Sequence, residues 1–426
     1  MTAPVDATEA ALRAIAGWGL PGAPGIELPP DSDQAGFAGR LQQTRLIGPL
    51  LAAAASGDVE LSPELEADLV ERQHGALLWC IQLEVRLLEV RDAFDAAGGI
   101  EHLVIKGPAI AHLDALDPSV RTFADVDLLV AARDIDRAVA VLTAMGGTLP
   151  WAERRRGFDR RFAKSVTPTL PDGVEFDLHR TPADGVFGHR IPLERLFAHP
   201  DHFEIGGVSF GALSPTHRLL HSAYHLLLGS PQPALMNLRD LAGYLANGGL
   251  APEVVAPEAA LWRGGAVLAM AVDLVAERLG VKVPAWTEWR AGYRLVPDEV
   301  EMVERHRREG SSLGRAKLDV AREMSLRDRA AYLTARCGAG TPWRHSSVLS
   351  GRSCADPVGP HAESMSGGST SSTRPGDGRS AERTPHVSSH RCGTRFGRCL
   401  VWRFDSLRAR HAAGLQLVAD CRTADR

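Results

Sequence analysis

The chain has 426 residues, too long for a single core and, at roughly 150 residues per domain, enough for two or three units. With 44% hydrophobic and 23% charged residues and a formal net charge of −4, it has ordinary globular usage, which excludes an acidic solvating chain and disfavours nucleic acid as the partner. No apolar run approaches the ~18 residues of a membrane span, and MTAPVDATEAALRAIAGWG lacks the basic start and apolar stretch of a secretory signal. The expected location is therefore the cytoplasm, with no membrane partner.

The averages conceal a seam. Cys80 is alone in the first 336 residues, whereas Cys337, Cys354, Cys392, Cys399 and Cys421 crowd the last 90. From residue 338 onward, 13 Arg, no Lys and 7 acids leave a net +6, so the preceding part carries −10. This Ser/Gly/Pro/Arg-rich tail has no apolar period over some fifty residues and cannot bury enough surface to offset its ordering entropy. Its Cys and His spacings match no zinc pattern. With 44 Arg against 4 Lys in the whole chain, a GC-rich coding sequence read out of frame gives such text, so residues 337–426 are expected to be disordered or frameshift-derived.

In chain order, Thr8 to Trp18 reads as a short helix followed by a Pro/Gly loop, so that residues 1–60 form a loose helix-and-loop entry. From Ser62 to Ala97, Trp79, Leu83, Leu87, Val90 and Phe94 recur at helical spacing, predicting one long helix or a broken pair that stops at Gly98-Gly99. IEHLVIKG is a short buried strand that turns at Gly107-Pro108 into a helix, and ADVDLLV (124–130) is a second strand, followed by the helix of DIDRAVAVLTAMGG. This alternation predicts an α/β layer. Arg154, Arg155, Arg156, Arg160 and Arg161 form a basic cluster read as a solvated face. VEFDLHR is another strand, Gly206-Gly207 marks a hairpin, and Ser214-Pro215 starts a helical half that runs to about residue 335.

The chemistry falls in the α/β part. A strand's period of two places Asp125 and Asp127 on one face of ADVDLLV, about 7 Å apart, where they can grip a divalent cation from one side. VEFDLHR likewise places Glu175, Asp177 and His179 on one face. If the two strands are neighbours, three carboxylates converge, as two Mg²⁺ ions at a phosphoryl-transfer centre require, with either Glu175 or Asp177 as the third. Lys106 and Gly107 stand where a strand meets a helix N-terminus and Arg121 lies four residues before Asp125, all positioned to handle phosphates.

The run LVIKGPAIAHLDALDPSVRTFADVDLLVAARDIDRAVAVLTAMGG, then VEFDLHR, then SPTHRLLHSAYH and LRDL, resembles the uncharacterised bacterial nucleotidyltransferase family of the DNA polymerase β superfamily, over about residues 75–245. The resemblance implies an α+β fold: a nucleotidyltransferase-like mixed sheet with flanking helices at 61–213, an all-helical half at 214–336 and the tail. It further implies Asp125, Asp127 and Asp177 as metal-binding catalytic residues. Lys106, Gly107 and Arg121 would bind the nucleotide, while His221, His225 and Asp240 fall on the helical motif. Lys106-Gly107-Pro108 replaces the superfamily's Gly-Ser loop. The implied activity is Mg²⁺-dependent transfer of a nucleotidyl group from an NTP such as ATP to an acceptor with release of pyrophosphate, Asp177 taking the acceptor's proton. A small molecule, a peptide, a protein side chain or an RNA end all fit as acceptor. The alternative is a catalytically idle binding or antitoxin-like partner of another protein.

Other signals yield to plainer readings. His217, His221 and His225 recur every fourth residue without HExxH, and GVSFG at 207–211 lies in a hairpin arm rather than a nucleophile elbow. No P-loop or GxGxxG opens a helix.

Overall fold

A computed structural model describes residues 6–337 apart from 31–33, 151–156, 231 and 310–313. The basic tail with Cys354, Cys392, Cys399 and Cys421, and the basic residues Arg154, Arg155 and Arg156, lie outside the described residues.

Asp6 caps α1 (Ala7–Gly17) by accepting the Thr8 N–H. Where the sequence predicts only a loop, α2 (Gln34–Thr44) and α3 (Ile47–Ala55) follow. α3 has no side-chain cap, so its local signal is weak. The burial of Phe37, Leu41, Leu46, Ile47 and Leu50 holds both helices instead; each such side chain contributes about 1.5–3 kcal/mol. The long apolar pattern forms one unbroken helix, α4 (Pro63–Ala96), with the Ser62 hydroxyl accepting the Leu65 N–H at its start and Gly98 and Gly99 in positive φ at its end.

Then come β1 (His102–Val104), α5 (Pro108–Leu113), β2 (Val126–Val130), α6 (Ile135–Ala144), α7 (Asp159–Phe162), β3 (Ser165–Val166), β4 (Phe176–His179), α8 (Gly185–Arg190), α9 (Leu193–Ala198), β5 (Asp201–Ile205) and β6 (Val208–Ala212). The strands form one mixed sheet in the order β3-β4-β2-β1-β6-β5. β2 is antiparallel to β1 and parallel to β4, and β1 is parallel to β6. The hairpin is as predicted: Ile205 pairs with Val208 across Gly206 and Gly207, whose φ of 58° and 81° suit a two-residue turn.

The helical half is also as predicted, running through α10 (Pro215–Leu228), α11 (Leu235–Ala246), α12 (Pro252–Leu261), α13 (Gly265–Leu279), α14 (Pro284–Gly292), α15 (Pro297–Glu309), α16 (Gly314–Arg322) and α17 (Leu326–Cys337). Ser214 accepts the His217 N–H at the start of α10, with Pro215 in the first turn. α1 packs against α11 and α13, so the N-terminal helices share the core of the helical half.

The sheet lies between two apolar clusters. Val126, Leu128 and Val130 pack with Val104, Phe176 and Leu178 against the C-terminal half of α4 and against α6. Leu103, Ile105 and Leu129 belong to the other cluster, which holds α1, α2 and α10 to α13. By strand alternation Asp127 shares the Leu129 face, so its carboxylate is directed toward the helical half.

Candidate active site

The register of β2 on β4 sets the centre. Because Val126 stands opposite Phe176, Asp127 stands directly opposite Asp177. His179, two residues on, donates from Nε2 to both: 2.7 Å to Asp127 Oδ1 and 2.9 Å to Asp177 Oδ2. Asp127, His179 and Asp177 present ligand atoms within 4.8 Å of one another. Thr167 donates its hydroxyl to Asp177 Oδ1 at 2.9 Å. Glu175 is exposed and belongs to no such cluster among the described residues, so the face that Glu175 and Asp177 share in sequence brings only Asp177 inward.

Lys106, just beyond β1, donates from Nζ to Asp127 Oδ1 at 2.9 Å. Asp127 is 2% exposed, and a carboxylate that deep needs positive charge beside it. Burial alone raises a carboxyl, but Lys106 and His179 outweigh it and hold Asp127 well below the usual range. Asp177 is likewise held low against burial by His179. The reciprocal effects run upward: burial opposes the charge on Lys106 and on His179, and the surrounding aspartates raise both.

Asp125 differs from these two. It lies one residue before β2, half-buried, with no hydrogen-bonded cation among the described residues. Burial first and the Asp127 charge second raise its carboxyl above the usual value. Its backbone is fixed closely: Trp79 Nε1 donates to Ala124 O at 3.2 Å, and Gly107 approaches so near that a Cβ there would meet the Asp125 carbonyl at 3.0 Å. Gly107 also has φ 52°, ψ −110°, a conformation that a side chain would strain. The neighbour that the structure gives Gly107 is thus the Asp125 backbone.

Arg121 is buried and committed: it donates to both Asp240 oxygens, at 2.8 and 3.3 Å, and to Thr122 O at 3.0 Å. Lys106, Arg121, Arg218, His221, Asn237 and Asp240 line a small cleft between the sheet end and α10 and α11. His221 and His225 lie one helical turn apart there, and His221 Nε2 is buried without a hydrogen bond among the described residues. Burial followed by the Lys106 charge holds His221 well below the usual imidazole value, while for His225 Lys106 comes first and burial second.

Such histidines make stability depend on pH. His102, His189, His217, His221, His225 and His306 are lowered, His189 to about 4 by burial and Arg180, whereas among the described residues only His179 is raised. Below about pH 6.5 the unfolded chain binds protons that these six sites refuse, so the fold loses at most about 1.4 kcal/mol per pH unit per site as pH falls. His179 works oppositely, its stabilisation being present below pH ~6.5 and lost as pH rises through its raised folded value. Thermal melts from pH 7.5 to 5 are expected to fall steadily, and His189→Phe to flatten the slope; a flat wild-type profile contradicts this balance.

Of the predicted site residues, the structure joins Lys106, Asp127 and Asp177 by a continuous hydrogen-bond network, sets Asp125 and Gly107 against one another at its edge, and ties Arg121 to Asp240. Alternation puts His179 on the same strand face as Asp177, but its central contact depends on the pairing of β2 with β4, which the sequence does not disclose.

One comparison with known proteins gives a match. Residues 30–280, more than half of the chain, match the model of a family described as uncharacterised nucleotidyltransferase. No curated protein and no solved structure matches the chain.

Proposed function

We propose, from the premise that the chain belongs to the uncharacterised nucleotidyltransferase family, that it transfers a nucleotidyl group from a nucleoside triphosphate to an acceptor nucleophile and releases pyrophosphate. The observation that carries this reading is the in-register pair Asp127 and Asp177, with Asp125 upstream and Lys106 alongside.

The side chains suit a hard divalent cation. Their donors are carboxylate oxygens with one imidazole, the set that Mg²⁺ accepts through its oxygens. Asp127 already draws two cationic side chains, whereas Asp125 has none in hydrogen-bond reach among the described residues. Asp125, Asp127 and Asp177 would hold Mg²⁺, two ions in the full reading, and the bound metal would neutralise charge on the phosphates and orient them. Lys106 holds the triphosphate as a point charge, and the Gly107 corner fixes the Asp125 backbone. Arg121, engaged by Asp240, shapes the wall of the nucleotide cleft from the loop before Asp125.

In the transfer step the acceptor oxygen bonds to the α-phosphorus, and the bond from that phosphorus to the bridging oxygen breaks. Pyrophosphate leaves with the electron pair, and Asp177, kept ionised by His179, takes the acceptor's proton. The small-molecule, peptide or protein acceptor enters from the His221 and His225 side, where neutral imidazoles offer hydrogen bonds without a charge.

The test uses each NTP labelled in turn at the α- and γ-phosphate, incubated with the protein and Mg²⁺. The expected products are labelled pyrophosphate from the γ-label and a labelled adduct or NMP from the α-label. Release of NDP with transfer of the γ-label contradicts the reading and indicates a phosphotransferase; no turnover and no NTP binding indicates an idle binding partner.

A further inference from the structure

The corner between α2 and α3 carries an unexpected residue. Arg45 follows α2 at φ 60°, in the left-handed region that glycine occupies without strain and a long side chain does not. The chain turns there as a helix usually ends, with the Arg45 N–H donating to Gln42 O and the Leu46 N–H to Leu41 O. Nothing in that turn calls for arginine, since glycine makes the same two bonds at lower conformational cost.

The corner is pressed against the site. Gly48, three residues on, lies so close to the Val120 backbone that a Cβ on it would clash with Val120 C and Cα at 2.8 and 2.9 Å. Val120 precedes Arg121, and Gln73 of α4 donates to Ser119 O at 2.7 Å, so α3, α4 and the loop leading to Asp125 form one packed wall. From this position the Arg45 guanidinium, half-buried, acts electrostatically on Arg121, Asp125 and Asp240. Burial and then Arg121 lower its proton affinity, and the charges of Asp125 and Asp240 offset that only in part.

The neighbouring cations are already engaged: Lys106 by Asp127, Arg121 by Asp240, Arg218 by Asp114 and Asp201. Arg45 has no ion pair among the described residues; on the other flank, Lys164, beside β3, is in the same condition. An unpaired, partly desolvated guanidinium kept in a strained conformation near the aspartate site is suited to bidentate binding of multiply charged phosphate oxyanions.

We propose that Arg45 binds the phosphate tail of the nucleoside triphosphate, and so carries part of the triphosphate specificity of the site from outside the sheet. This rests on the nucleotidyltransferase reading above. The α2–α3 corner packs against the Val120 backbone, which leads through Arg121 to Asp125, so in this reading a triphosphate whose α-phosphate lies over Asp125 and Asp127 meets Arg45 with its β- and γ-phosphates.

The backbone strain makes the experiment discriminating. In the full chain, Arg45→Gly and Arg45→Asn relieve the left-handed conformation and are expected to melt a few degrees higher than wild type. Both are expected to bind NTP with Mg²⁺ about tenfold or more weakly in calorimetric titration, with the corresponding NMP little affected and Arg45→Lys intermediate. Unchanged NTP affinity in a folded Arg45→Gly or Arg45→Asn protein overturns the inference and leaves the transferase reading standing. A wild type that binds no NTP overturns both, and equal losses for NTP and NMP overturn the assignment to the phosphate tail.

Discussion

Asp125→Asn is expected to lower nucleotidyl transfer about a thousandfold while leaving the fold as stable as wild type or more so. The chemical half rests on the position of Asp125: of the three aspartates it is the one without a hydrogen-bonded cation among the described residues, hence the one whose charge is open to Mg²⁺. Removing one preorganised charge-stabilising group from such a centre typically costs 10²–10³ in rate, and the loss of a metal ligand falls at the upper end. The stability half rests on direction. Burial and Asp127 raise the Asp125 carboxyl, so at neutral pH its ionised form opposes folding, and a neutral amide removes that opposition. Asp127→Asn is the contrasting case, because it removes the negative charge shared by Lys106 and His179 and leaves Lys106 without an ion pair, while His179 keeps only Asp177. Activity assays with thermal melts on both variants separate the roles: a strongly destabilised Asp125→Asn, or one that retains activity, contradicts the account.

The second large effect is expected at Arg121 and Asp240, 119 residues apart in sequence and joined by two hydrogen bonds. Both side chains are under 10% exposed. Burial opposes the Arg121 charge and Asp240 restores it, so removing the carboxylate leaves an uncompensated guanidinium beside Arg45. Asp240→Ala is expected to cost about 3–5 kcal/mol, which lowers the melting temperature by roughly 6 °C or more. Arg121→Met with Asp240→Leu removes both charges together and is expected to recover most of that loss. Since Arg121 also holds Thr122 O, three residues before Asp125, Asp240→Ala is expected to weaken NTP binding as well, through displacement of the loop. A melting temperature within a degree of wild type contradicts the assigned importance of the pair.

These contacts mark the limits of what sequence discloses. Turn and cap chemistry is local, so the Gly206-Gly207 hairpin, the Ser214-Pro215 helix start and the Gly98-Gly99 stop could be read directly. Alternation on ADVDLLV and VEFDLHR gave the inward faces, but the choice of Asp177 over Glu175 and the contact from His179 to Asp127 required the register of β2 against β4. α2 and α3 escaped because the signal that forms them is burial against the helical half rather than caps or a clear period. Arg45 escaped for a related reason: its importance lies in a backbone angle where the residue type predicts the opposite. Asp240 was legible only through the family resemblance, since nothing within LRDL points across the chain to Arg121.

The central claim is that the carboxylates at the ends of β2 and β4 hold a divalent cation that carries the nucleotide. Its most direct test is paramagnetic titration of Mn²⁺, as a probe for Mg²⁺, into wild type and Asp125→Asn with and without NTP. The account predicts bound Mn²⁺ in wild type, tighter in the presence of NTP, and a large loss of both in the variant. Absence of Mn²⁺ binding to folded wild type, with or without NTP, or equal binding by the variant, contradicts it.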